Sequence, residues 1–95
     1  MTTETMDRAV DVFGTMFVKI ADDHAVANRK RLVQSTADTV IEAADLEAQE
    51  ALYRFRHRVS RTDYLALQVM ARKVIEARIE AWRAAGWKKP KDRQS

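Results

Sequence analysis

Residues that interrupt helices are almost missing from this chain. Its two glycines are Gly14 and Gly86 and its one proline is Pro90, so most of the sequence lacks the punctuation that hairpins and β-turns need. Apolar residues meanwhile recur at intervals of three and four, the repeat that lines one face of a helix. Together these features predict an all-α fold and leave strands without support.

Met6, Ala9, Val10, Phe13, Met16, Phe17 and Ile20 form a first stripe, which predicts a short N-terminal helix over about residues 5–21. Gly14 costs a helix interior about 1 kcal/mol relative to alanine, and close approach by a neighbouring helix is the reading that explains it. Asp22 and Asp23 suit the start of a new helix, because a carboxylate there accepts from unsatisfied amides at the positive end. A second stripe, Val26, Val33, Ala37, Val40, Ala44, Ala48, Leu52, Phe55 and Val59, keeps its phase. It predicts one long central helix over about residues 23–59, on the order of 50 Å in length. Asp45 marks where that helix would split, if it splits.

Ser60-Arg61-Thr62-Asp63 reads as a capping box with Asp63 in the usual Glu position. The third helix, over about residues 61–85, carries Leu67, Met70, Ala71, Val74, Ala77, Ala81 and Ala85 on one face. Leu65, Ile75, Ile79 and Trp82 fall on an adjoining one. This apolar surface is wide for a chain of 95 residues, and a two-fold dimer with helices paired between subunits is the expected way to cover it. Gly86 is placed to take the left-handed conformation just past the helix, with Trp87 folding back onto Trp82. The expected organisation is a single helical domain over residues 1–87 and a basic, disordered tail over residues 88–95.

The net charge of +3 conceals an asymmetry: residues 1–50 carry ten acids and five bases, residues 51–95 four acids and twelve bases. Such a division suits contact with nucleic acid, with an acidic protein or with a second copy of the chain. With no cysteine there is neither a disulfide framework nor a thiolate site, which fits a reducing cytoplasm. Apolar runs such as Met16-Phe17-Val18 and Tyr64-Leu65-Ala66-Leu67 are far below the roughly 20 residues that span a bilayer. No membrane association is expected. Glu4, Asp7 and Asp11 are also foreign to a signal peptide, so a cytoplasmic location is expected.

Catalytic signatures are missing. The chain has no phosphate-binding glycine loop, no His-Glu-x-x-His, no Gly-x-Ser-x-Gly and no Glu-x-x-His pair. Asp22-Asp23-His24 and the acidic row Asp38, Glu42, Asp45 read as solvated helix surface, and His24 and His57 fall at opposite ends of the expected long helix. No metal or cofactor is therefore expected, and no enzymatic activity. Arg72, Glu76, Glu80 and Arg83 alternate in sign at helical spacing, as on a salt-bridged solvent face.

The strongest surface signal is Arg54, His57, Arg58 and Arg61, spaced to project from one side of a continuous helix beside Phe55 and Val59. With Lys88, Lys89, Lys91 and Arg93 of the tail they make the candidate macromolecule-binding residues, able to track phosphates in a salt-dependent manner. Against this, Glu47 and Glu50 lie one turn earlier, where they would neutralise Arg54. No helix-turn-helix is recognisable. The expected function is that of a small helical interaction protein, an adaptor, inhibitor or regulatory subunit that binds another protein or itself. A nucleic-acid-binding accessory protein is the alternative.

Overall fold

The computed structural model describes residues 3–91, with side chains from Asp11 onward. Three α-helices account for most of it: α1 (Thr3–Arg29), α2 (Ala37–Arg54) and α3 (Arg61–Ala84), and there is no strand among the described residues. All three pairs of helices pack together around one core. From α1 that core takes Phe13, Phe17, Ile20, Ala21 and Ala25; from α2, Val40, Ile41, Ala44, Ala48 and Leu52; from α3, Leu67, Ala71, Ile75, Ile79 and Trp82. Met6, Ala9 and Val10 of the first stripe precede the described side chains. Alanine at five of the core positions lets the helices come close, and at Gly14 a Cβ would stand only 3.3 Å from the Met70 methyl of α3. The glycine thus serves close packing of α1 on α3.

The expected helix boundaries need correction at two places. The first helix does not end near Ala21 but runs on through Asp22 and Asp23 to Arg29. Asp22 caps no helix because its carboxylate is engaged across the bundle by α3, where Arg78 and Trp82 donate to it.

The long central helix over residues 23–59 does not form either. The chain leaves the helix after Arg29 and re-enters at Ala37, and the stretch between exposes Leu32 and Val33 almost fully. Two polar residues make this break. Asn28, 2% exposed, accepts the Ser35 amide on Oδ1 at 2.8 Å, and Thr36 caps α2 by accepting the Thr39 amide at 3.3 Å. The second stripe reads as continuous because Val26 and Val33 stand two helical turns apart in sequence, yet Val33 faces solvent and belongs to no stripe. Asp45 lies within α2 and splits nothing.

Helix α2 stops at Arg54, where Phe55 turns inward and meets Phe13 edge-on with ring centroids 5.6 Å apart. Ser60 then caps α3, its hydroxyl accepting the Asp63 amide at 3.1 Å, as the capping-box spacing predicts. At the far end Gly86 has φ 69°, the Gly86 amide donates to Arg83 O at 3.1 Å and the Trp87 amide to Trp82 O at 2.8 Å. This is the paired-bond helix stop that Gly86 predicts, with Trp87 packed against the core.

Candidate interface on the α2–α3 face

Arg54 is the last residue of α2, His57 and Arg58 lie in the turn, and Arg61 opens α3. The helical spacing that would align them is therefore lost, yet the turn still gathers them at one end of the bundle. Arg56 joins them: its guanidinium sits 3.7 Å from the Tyr53 ring centroid and its Nη1 donates to Tyr53 O at 2.8 Å. The sequence reading misses Arg56, although its three-residue spacing from Tyr53 is visible. Arg58 lies 5.9 Å over the Phe55 ring. Arg56, His57 and Arg61, with Tyr64 and Leu65, line a shallow depression of about 370 Å³.

Neutralisation of this cluster from within does not occur as expected. Glu47 Oε1 lies 3.0 Å from His24 Nε2 of α1, and no ion pair joins Arg54, His57, Arg58 or Arg61 to a carboxylate among the described residues. The tail residues lie elsewhere. Lys88, Lys89 and Lys91 follow the C-terminal end of α3, about 36 Å along that helix from Arg61. Lys89 borders a depression with Thr15, Lys19, Asp22, Asp23 and Arg78. Arg93 falls outside the described residues.

Next to the basic turn, four large apolar side chains are more than half exposed: Leu46 and Tyr53 on α2, Leu65 and Val69 on α3. They flank the seam where the two helices meet, marked by Gln49 Nε2 donating to Gln68 O at 3.1 Å and to Asp45 Oδ1 at 3.2 Å. Farther along the seam Arg72 binds Glu42 at 2.9 Å, Glu76 at 3.2 Å and Asp45 at 3.6 Å. The hydrogen bond to Glu42 pushes the Arg72 pKa above its ordinary value. The acidic row of α2 is thus partly a helix-to-helix ion-pair network and not simply a solvated face.

A second polar cluster, withdrawn from water, centres on Asp22. Arg78 Nε and Nη2 reach its two carboxylate oxygens at 2.7 and 3.1 Å, and Trp82 Nε1 donates to Oδ1 at 2.7 Å. Burial works against the charge, but the hydrogen bonds from Arg78 and Trp82 and the charges of Arg78 and Lys89 outweigh it, holding the carboxyl below 3.8.

No protein-family model matches the chain, and no curated protein or solved structure is significantly similar to it. Among the described residues no group of His, Cys, Asp and Glu is arranged to hold a metal ion, and no helix is long and apolar enough to cross a membrane.

Proposed function

We propose that this protein is a non-enzymatic helical interaction protein, acting in the cytoplasm, that binds another macromolecule through its α2–α3 face. The observation that supports this reading is the apolar quartet Leu46, Tyr53, Leu65 and Val69, exposed around one seam and adjoining cations that no carboxylate neutralises among the described residues. Clustered exposed apolar side chains with a polar rim are the usual mark of an interaction site. The test is recovery of bound macromolecules from the source cell with wild type and with Leu65→Glu. Selective loss from the variant is expected, and an identical set bound by both would overturn the reading.

A second reading is favoured by the basic turn alone: a nucleic-acid-binding accessory protein that contacts phosphates through Arg54, His57, Arg58 and Arg61, with Lys88, Lys89, Lys91 and Arg93 assisting. It predicts binding to DNA or RNA that weakens steeply as salt rises, with a shallower salt slope when Arg54, Arg58 and Arg61 are replaced by alanine. Salt-insensitive binding, or an unchanged slope in the triple variant, would exclude it.

A further inference from the structure

We infer that the α2–α3 face closes on a second copy of this chain, in a two-fold arrangement that runs each helix antiparallel to its counterpart. The inference rests on reading this face as an interface and names its occupant. What selects a second copy is the order of charge along the seam. At one end stand Arg54, Arg56, His57, Arg58 and Arg61; the apolar quartet occupies the middle; at the other end Asp38, Glu42, Asp45 and Glu76 outnumber Arg72 and Lys73. The surface is basic, then apolar, then acidic.

A surface with that order is complementary to itself when reversed. A two-fold axis lying in the face and crossing the seam at the Gln49–Gln68 contact sets α2 against the partner's α2 and α3 against the partner's α3. Counted along α2 from Gln49, Glu42 lies seven residues, about 10 Å, toward one end, and Arg56 stands in the turn just past the other end, two residues beyond Arg54. Reversal therefore brings the turn that holds Arg56 to the partner's Glu42 end, and Leu46 over the partner's Tyr53. The other two-fold choice, with the axis along the seam, would set one basic turn on another. Like charges meeting across an interface disfavour that arrangement.

The area suffices. Two helix faces about 10 Å wide and about 27 and 36 Å long present on the order of 600 Å² per copy, the lower end of what stable dimers bury.

Sedimentation equilibrium on the full chain tests the proposal. Wild type is expected to dimerise, and Val69→Glu to raise the dissociation constant about tenfold or more. Val69 is 57% exposed, so its replacement leaves the fold intact, and Val12→Glu, on α1, is the control that leaves dimerisation unchanged. The orientation is tested by charge reversal. Arg56→Glu and Glu42→Arg each weaken the homodimer, whereas mixing the two variants restores dimers, because both contacts are then between opposite charges. A wild type that stays monomeric at millimolar concentration overturns the proposal while leaving the interaction reading to its own test. Dimers that mixing does not restore overturn the antiparallel arrangement.

Discussion

Asp22 and Arg78 stand 56 positions apart in sequence and are joined by two hydrogen bonds that tie α1 to α3. Their side chains are 18% and 13% exposed, so the pair is well withdrawn from water. Removing one member leaves the other short of its partner. Asp22→Asn should therefore destabilise the fold by about 2 kcal/mol, read from chemical denaturation, less than a fully buried pair would lose.

The same carboxylate makes stability depend on pH. Because its folded pKa lies below the ordinary 3.8, its contribution is complete above that value and is lost as pH falls through the folded pKa. Acid titration of wild type should show this loss, and Asp22→Asn should flatten the curve over the same range. A variant curve parallel to wild type would refute the assignment.

Gly14 faces a methyl at the free end of the flexible Met70 side chain. That atom can yield by a few tenths of an ångström, so Gly14→Ala should gain up to about 1 kcal/mol from helix propensity. A larger residue has no such room, and Gly14→Leu should lose about 1–3 kcal/mol by overpacking. Thermal melts of the two variants should move in opposite directions.

Asn28 supplies the acceptor for the Ser35 amide at the turn between α1 and α2. Its Nδ2 has no hydrogen-bond partner among the described residues, and its oxygen makes the contact. Asn28→Ala should cost about 2 kcal/mol by leaving that amide unpaired. Amide exchange at Ser35 should accelerate in step.

Arg61 begins α3, where the helix dipole presents its positive end. Arg61→Glu should raise stability by about 0.5 kcal/mol in denaturant titrations, while weakening any phosphate contact made by the turn. Stability and anion binding moving in opposite senses would identify Arg61 as a surface residue that serves binding at the expense of the fold.

The helical class, the start of α3 at Ser60 and its stop at Gly86 are legible in the sequence because each depends on neighbours within one turn. The break between α1 and α2 is not. In the sequence Asp22-Asp23 carries a capping signal, whereas the cap that forms is Thr36, and local chemistry alone does not exclude the first. The choice is made by α3, whose Arg78 and Trp82 claim Asp22 and leave Thr36 to cap α2. The candidate site divides in the same manner. Its basic residues are visible in sequence, whereas Arg56 on Tyr53, the lack of an ion pair to the cluster among the described residues and the apolar quartet beside it depend on how α2 lies against α3.

By itself, then, the sequence determined that this chain is helical, where most of its apolar stripes lie and how its last helix begins and ends, since periodicity and capping act over three or four residues. Tertiary structure decided where the first helix ends, which carboxylate is drawn against α3 and which apolar side chains stay exposed. Those outcomes depend on partners tens of residues away, and only packing brings them within reach of one another.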